Sequence, residues 1–149
     1  MRWIGSAEKA LEMLVRRALE RELHGGVLAD KQLIQAMMAE SAMELYAAKL
    51  MVLHAAYLIE HGQPFRQEVS IAKHHVANML WRITDRAVQV HGALGYSTDT
   101  PLESMLRHAR SARLVDGADE VHLSQIAAHL IAAFREDGST RRATGAGLL

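Results

Sequence analysis

Residues 30–90 read DKQLIQAMMAESAMELYAAKLMVLHAAYLIEHGQPFRQEVSIAKHHVANMLWRITDRAVQV, and they predict two long helices. Apolar residues recur every three or four positions, which is the spacing of one helix face. A Gly-Gln-Pro break divides the stretch. The first of these helices is predicted from Asp30, as its N-cap, to His61, and the next from Pro64 to Val90. At about 1.5 Å per residue, each is longer than about 40 Å.

Shorter helices are predicted on either side of this pair. Long antiparallel helices joined by short turns are typical of a four-helix bundle. The sequence therefore predicts an all-α, up-down four-helix bundle with an additional short helix over residues 1–135. Residues 136–149 are rich in Gly, Thr and Arg, and they are predicted to be a disordered tail. The flanking helices are expected from Arg2 to about Leu23, from near Pro101 to about Arg113, and from Asp119 as N-cap to Phe134.

Composition excludes several classes of function. The 149 residues carry 17 basic and 17 acidic side chains, and this zero net charge argues against nucleic-acid binding. Cysteine is absent, so disulfides, a thiol nucleophile and a cysteine metal site are excluded. No uninterrupted apolar run approaches the roughly 20 residues of a membrane span. The first residues do not resemble a signal peptide, so we expect a bacterial cytoplasm or an organelle matrix, and no secretion.

The nine histidines do not predict a metal site. His74 and His75 are adjacent, so they point in different directions from a helix. No His-Glu-x-x-His pattern occurs, and the Glu-x-x-His pairs of di-iron bundles are also missing. No metal is therefore expected, and a metal or haem bundle is the weakest of the interpretations considered. The eight methionines fit the apolar stripes as core residues.

Two polar segments allow both a structural and a functional interpretation. Arg21–Gly25, together with Gln32, is either a charged helix end or a guanidinium and amide directed at a pyrophosphate or carboxylate. Gln89–Tyr96 contains Gly92-x-x-Gly95, which is either an interhelical turn or a place where the backbone approaches a ligand closely. It is not a dinucleotide fingerprint, because no strand precedes it and the third glycine is missing.

A third polar segment surrounds Asp116. Arg107–Arg110 and Arg113–His122 predict a helix, a turn and a second helix with a network of charges. The functional alternative assigns Asp116 as a general base in an apolar pocket. Pattern alone favours the structural interpretation of all three segments.

Taken in order, these segments resemble the C-terminal helical domain of the acyl-CoA dehydrogenase family. The match runs from Arg2 to about Ala133. The opening Met-Arg-Trp-Ile-Gly-x-Ala-Glu and the later Asp-Gly-x-Asp-Glu-Val-His are most similar to the branch fused to an aminoglycoside-phosphotransferase-like domain. The shared pieces are Arg2-x-Ile4-Gly5-x-Ala7, Ala10-Leu11-Glu12, Arg21-x-x-x-Gly25, Leu28-x-x-x-Gln32, Ala72-Lys73, Gln89-x-x-Gly92-x-x-Gly95-Tyr96, Pro101-Leu102, His108-Ala109-Arg110 and Asp116-Gly117-x-x-Glu120-Val121.

The resemblance implies a chemistry and a set of site residues. Family members use FAD to oxidise an acyl-CoA to the trans-2-enoyl-CoA and pass the electrons to an electron-transferring flavoprotein. A carboxylate removes the α proton, and the β hydrogen leaves as hydride to the flavin. Asp116 matches the position of the catalytic base. The residues matched to cofactor binding, mainly across a subunit boundary, are Arg21, Gln32, Gln89, Gly92, Gly95 and Glu120.

This chain departs from the family pattern near those positions. Asp116 stands where many members have the Glu of a Glu-Gly-Thr motif, so its carboxylate is set back by about 1.5 Å, one carbon–carbon bond. Position 118 is Ala instead of Thr, and His24 replaces the usual Phe before Gly25. The resemblance therefore supports the predicted fold more strongly than it supports Asp116 as the catalytic base.

The missing domains define the expected behaviour of the chain. Family enzymes build the acyl-CoA pocket and much of the flavin site from an N-terminal helical domain and a β domain. We expect the isolated chain to be inactive and to form a homodimer or homotetramer through its apolar stripes. The alternative is a non-catalytic helical interaction subunit that dimerises or completes the active site of a partner chain.

Overall fold

The computed structural model describes residues 1–145 and is all-helical over this range, as predicted. An isolated bridge between Glu22 and Val27 is the only β pairing there. The α-helices are α1 (Arg2–Glu20), α2 (Gln32–Glu60), α3 (Arg66–His91), α4 (Ala93–Tyr96), α5 (Leu102–Ser111) and α6 (Asp119–Asp137).

Helix α3 lies at the centre of the bundle. It packs against α1, α2, α5 and α6, which leaves almost every face of its second half buried. Small residues such as Ala77 and Ala87 let the neighbouring helices approach, while Met79 and Ile83 fill the space between them. Helix α1 completes this core through one face, on which Ile4, Ala7, Ala10, Leu14 and Ala18 recur at helical spacing.

Ion pairs define the directions of the helices. Arg86 of α3 contacts Glu40 of α2 at 2.7 Å, and Arg82 contacts Glu44 at 3.0 Å, so α2 and α3 run antiparallel. Lys49 of α2 pairs with Glu8 near the start of α1, so these two helices are antiparallel as well. As a result, α1 and α3 end at the same end of the bundle, where α2 begins.

Helix α6 runs antiparallel to the first half of α3. Its first residue, Asp119, accepts a hydrogen bond from Asn78 at 3.0 Å, and Gln125 accepts one from Ser70 at 2.9 Å. The short helices α4 and α5 pack against the second half of α3. The four-helix arrangement with an additional short helix therefore matches the prediction.

Several predicted helix ends differ from the structure. Helix α1 ends at Glu20 rather than near Leu23, because the main chain closes a narrow loop in which Leu23 N donates to Gly26 O at 2.8 Å. Asp30 is not the N-cap of α2, since it lies in a 3₁₀ turn and Lys31 occupies the cap position. Asp119 is not a cap either: it is the first residue of α6, and its carboxylate is directed into the bundle.

The predicted disordered tail also differs where the structure describes it. Glu136 and Asp137 form the last turn of α6, and Arg141–Thr144 form a 3₁₀ turn. Ala143 is buried, and its carbonyl accepts a hydrogen bond from Gln67 of α3 at 3.0 Å. This contact holds the segment against the bundle. Residues 146–149 lie outside the described part of the chain.

Helix α2 is the one helix, among residues 1–145, that is long and apolar enough to cross a membrane. Its most apolar 18 residues are 22% buried, and core helices of bundles can have the same length and composition. The expectation of no span came from uninterrupted apolar runs, which the charged residues of α2 interrupt.

We predict that Leu14→Ala destabilises the fold strongly. Leu14 is fully buried between α1 and α3, and its removal leaves a cavity that costs roughly 2–5 kcal/mol. Leu19→Ala is the matched control on the same helix, because Leu19 is 60% exposed, and we expect it to change stability by less than about 1 kcal/mol. Urea denaturation of both variants measures the difference; equal losses would contradict the assignment of this core.

Candidate functional site

The residues predicted from the sequence form two separate groups. The first, called the polar end, comprises Arg21, Gln32, Gln89 and Gly92. Arg21 follows α1, Gln32 begins α2, and Gln89 lies in the last turn of α3. The helix directions described above place these three side chains at the same end of the bundle, and all three are exposed.

The side chains of the polar end have unused hydrogen-bonding capacity. Across residues 1–145, neither the Arg21 guanidinium nor the carboxamides of Gln32 and Gln89 hydrogen-bond to another protein group. Arg17, one helical turn earlier, has a buried Nε without a partner. Several donors are therefore available to an anionic or polar ligand at this end.

The two glycines after α3 have different surroundings. Gly92 is exposed and has a φ of 64°, so it permits the sharp reversal between α3 and α4. Gly95 is buried, and a Cβ there would lie 2.7 Å from the carbonyl oxygen of Val88 and 2.8 Å from the Cβ of His91. Gly95 thus allows α4 to fold back against α3, which is the structural interpretation of the motif.

The second group, called the acidic turn, comprises Asp116–Asp119 between α5 and α6. Asp116 and Gly117 both have left-handed backbones, with φ of 55° and 93°. The Asp116 side chain is 64% exposed, and Arg2 Nη2 donates to its Oδ2 at 3.1 Å. The apolar pocket expected around Asp116 is therefore not formed by residues 1–145 alone.

The backbone of the acidic turn is held from within the bundle. Lys73 of α3 donates a hydrogen bond from Nζ to the carbonyl oxygen of Gly117. A ring nitrogen of His122 lies 3.2 Å from the carbonyl oxygen of Asp116. The φ of 93° favours glycine at position 117, and a Cβ there would lie 2.7 Å from that same nitrogen, so the His122 side chain would have to move.

Beneath the turn, the Asp119 carboxylate is only 5% exposed. Its Oδ2 accepts hydrogen bonds from Arg113 Nε at 2.7 Å and Asn78 Nδ2 at 3.0 Å, while His74 Nδ1 lies 3.6 Å from Oδ1. Burial by itself would raise the pKa of Asp119. The hydrogen bonds from Arg113 and Asn78, with electrostatic attraction to His74 and Arg113, outweigh that effect and hold its pKa below the ordinary value.

The network of charges predicted over Arg113–His122 is present in the Arg113–Asp119 pair. Its partners on α3 were not predicted: Asp119 was expected as a helix cap, and Lys73, His74 and Asn78 were given no part in the network. The sequence did contain an indication of this role, because these polar residues interrupt the apolar pattern of a helix that has to be buried on most sides. Glu120, the next residue of α6, is exposed and makes no ion pair within the described range.

The polar end and the acidic turn lie far apart in one chain. Arg2 contacts Asp116, whereas Arg21 lies just beyond the other end of α1. The 19 residues of α1 separate the two by about 28 Å at 1.5 Å per residue. Asp116 and Arg21 therefore belong to different sites on this chain.

A large cleft lies away from both groups. It has a volume of about 1190 Å³ and opens between the end of α2, the start of α3 and α6, with Tyr57, Phe65, Gln67 and His129 in its lining. Nothing in the sequence pattern predicted it. Among residues 1–145, no three metal-ligating side chains are grouped in this cleft or elsewhere.

The family model for the acyl-CoA dehydrogenase C-terminal domain matches residues 1–131, and the chain belongs to that family. The probable acyl-CoA dehydrogenase FadE2 of Mycobacterium tuberculosis is 40% identical over 129 residues, 85% of this chain and 32% of the relative. Acyl-CoA dehydrogenase family member 11 of Rattus norvegicus is 38% identical over 129 residues, 85% of this chain and 17% of the relative.

Solved structures show the same relationship. A putative acyl-CoA dehydrogenase from Mycobacterium abscessus superposes with a TM-score of 0.87 at 37% identity, covering 90% of this chain and 33% of the other. A chain in the structure of the electron transferring flavoprotein of Acidaminococcus fermentans gives a TM-score of 0.79 at 34% identity, covering 82% and 32%. The chain thus spans a third or less of the length of these relatives.

We predict that Asp119→Asn destabilises the fold in a pH-dependent manner. At neutral pH it removes the negative charge that faces Arg113 and the nearly buried Lys73, at a cost of roughly 1–3 kcal/mol. Because the folded pKa is lowered, the contribution of Asp119 is complete above the unfolded value of about 3.9 and disappears as the pH falls through the lower folded pKa.

Urea denaturation of both proteins between neutral and strongly acidic pH measures this effect. The stability difference between wild type and Asp119→Asn should shrink below about pH 4. Asp85→Asn is the control, because Asp85 lies exposed on α3 and makes no ion pair in the part of the chain that is described. A difference that stays constant down to the lowest pH would contradict the role of the ionised carboxylate.

Proposed function

We propose that the chain is the FAD-contacting and oligomerisation domain of a flavin-dependent acyl-CoA dehydrogenase. The observation that carries this proposal is the acidic turn. It presents the Asp116 carboxylate outward from a left-handed backbone, and the motif resemblance matches Asp116 to the family's base. Leu114 and Val115 lie beside it and are exposed, so apolar surface is available to close a pocket against a further domain.

In this function Asp116 accepts the α proton of the acyl-CoA thioester. FAD, when bound, supplies the acceptor for the β hydride. Arg2 Nη2 donates a hydrogen bond to Asp116 Oδ2 at 3.1 Å. The exposure of Asp116 in this chain fits a pocket whose other walls come from the N-terminal and β domains of a complete enzyme.

The polar end suits the FAD of a neighbouring subunit. Arg21 offers a planar fork of donors that matches pyrophosphate, and the carboxamides of Gln32 and Gln89 lie exposed at the same end. Because α1 separates Arg21 from Asp116 by about 28 Å, the FAD beside Asp116 and the FAD at the polar end are two different molecules in this proposal. Glu120, the second residue of α6, lies at the same end of the bundle as Asp116. Gly95 contributes to the polar end by shaping the α3–α4 turn.

An acyl-CoA substrate and an electron-transferring flavoprotein partner follow from the same proposal. They place the complete protein in fatty-acid metabolism. In the proposed function the flavoprotein would reoxidise the reduced FAD. Catalysis requires base, thioester and flavin in contact, so we propose that the 149-residue chain is inactive by itself.

A second copy of this chain is the proposed occupant of the outer face of α2. Met43, Tyr46, Leu50, Leu53 and Tyr57 are exposed there and recur at intervals of three and four residues. We call these five residues the α2 stripe. Its spacing is that of a helix-pairing seam, and two copies related by a two-fold axis would bury the stripe against itself. The same stripe favours the alternative function, a non-catalytic interaction subunit.

We predict that a chimera will show the catalytic role of Asp116. Residues 1–131 replace the matching C-terminal domain of FadE2, which is 40% identical, and dye reduction is measured with FAD and a panel of acyl-CoAs. The chimera should be active, and Asp116→Asn should lower kcat by about 10²-fold or more, the usual range for a lost general base. The unfused chain in the same assay should give no turnover.

Asp85→Asn serves as the matched control in the chimera, since it removes a carboxylate from the exposed side of α3. A fully active Asp116→Asn chimera would show that another group is the base. Turnover by the unfused chain would contradict its proposed inactivity. An inactive chimera that folds and binds FAD would favour the interaction subunit.

We predict that the chain self-associates through the α2 stripe. Sedimentation at micromolar concentration should show a dimer or tetramer, and the double substitution Tyr46→Glu and Leu50→Lys should give a monomer, because charges would be buried in the interface. Leu19→Glu is the control at an exposed leucine of α1, and it should leave the assembly intact. A wild-type chain that stays monomeric would refute the prediction.

A further inference from the structure

We propose that Lys73 and Asp119 are positioning residues that hold the Asp116–Gly117 turn in its left-handed conformation, and thereby fix the direction of the Asp116 carboxylate. This inference rests on the proposed function, because the direction of that carboxylate matters only if it is a base. Neither residue touches the reacting atoms in the proposal. Both act through the backbone of the turn.

The turn requires restraint from outside. A left-handed backbone at Asp116 is unfavourable for a residue with a Cβ, and it persists where surrounding contacts specify it. The contact from Arg2 is weak in this respect, since the Arg2 and Asp116 side chains are 76% and 64% exposed. The hydrogen bond from Lys73 to Gly117 O differs, because the Lys73 side chain is only 10% exposed.

Asp119 makes the buried Lys73 ammonium possible. Its Oδ1 lies 4.0 Å from Lys73 Nζ and has no hydrogen-bond partner, so it supplies the opposite charge. Asp119 is itself fixed by Arg113, which donates from Nε and whose carbonyl accepts the Asp119 N–H at 3.1 Å. The ends of the 113–119 loop are therefore joined, and Lys73 holds its middle.

The first helix supports the same arrangement. The Trp3 ring lies 5.8 Å from Lys73 Nζ and 5.7 Å from the guanidinium carbon of Arg2, within the range of cation–π attraction. Lys73 thus has the Trp3 ring on one side and Asp119 on the other. Besides Lys73, the charged or titratable side chains that contact the Asp119 carboxylate among the described residues are His74 of α3 and Arg113 after α5.

The test follows the backbone of the turn directly. In the isotopically labelled 149-residue chain, the HN–Hα coupling and carbon shifts of Asp116 report whether its φ is positive. In Lys73→Met and in Asp119→Asn these values should move toward those of an averaged, mostly negative φ. The signals of Ser41 and Arg86, in the α2–α3 contact, should stay in place and show that the bundle is intact.

Lys49→Met is the matched control, because it also removes an ammonium that pairs with a carboxylate, here Glu8 at 2.6 Å, but lies on α2. It should leave the Asp116 signals unchanged. Left-handed Asp116 values that survive in both Lys73→Met and Asp119→Asn would overturn the proposal. So would an equal response to Lys49→Met, since the turn would then only report general loss of stability.

A titration covers the case in which the variants do not fold. In the Asp116→Asn chain, which keeps Lys73 and Asp119, acidification should change the Gly117 amide signal with the midpoint of the Asp119 carboxyl carbon, below the ordinary range for an aspartate. A Gly117 signal that ignores the protonation of Asp119 would overturn the proposal.

The outcome is separable from that of the proposed function, because these measurements need neither FAD nor acyl-CoA. If the turn responds as described but Asp116→Asn leaves the chimera active, the positioning stands and the base assignment falls. If Asp116→Asn abolishes the activity of the chimera while Lys73→Met and Asp119→Asn leave the turn unchanged, Asp116 is the base and the positioning role is refuted.

Discussion

Helix α3 packs against four other helices, so the charged and polar groups on its buried faces must find partners inside the bundle. Arg82 and Arg86 do so with Glu44 and Glu40 of α2, which fixes the register of these two long helices. On the opposite side, Lys73 and Asn78 bind the segment that joins α5 to α6. The fold and the candidate site thus depend on the same requirement, which is the pairing of polar groups on a buried helix.

This requirement also explains why two distant phrases of the sequence meet. The opening Arg2-Trp3 and the later Asp116-Gly117 are separated by more than a hundred residues, yet Arg2 contacts Asp116 and Trp3 lies over Lys73. Lys73 in turn binds Gly117. Because one ammonium on α3 needs both an apolar cover and acceptors, the start of α1 and the acidic turn are brought to the same place.

The sequence predicted which segments form helices, but it did not predict all of the helix ends. Periodicity located α2 and α3 within a few residues, since burial of one stripe is a property of the whole helix. Asp30 and Asp119 were both assigned as caps from local chemistry. Asp119 instead enters the core, where its carboxylate accepts hydrogen bonds from Arg113, six residues earlier, and from Asn78 of α3, which is distant in sequence. The Gln67–Ala143 contact, which orders part of the segment predicted as disordered, is equally non-local.

The candidate site shows a similar division. Its residue types were identified by ordered resemblance, but their grouping was not, since spacing along the chain does not reveal that α1 separates Arg21 from Asp116. That separation bears on function. In the proposed function, the base Asp116 and the anion-binding donors at Arg21 lie at opposite ends of one chain, so each faces a different cofactor. The same proposal completes the donors at Arg21, the exposed Asp116 and the α2 stripe by an assembly of several chains with additional domains.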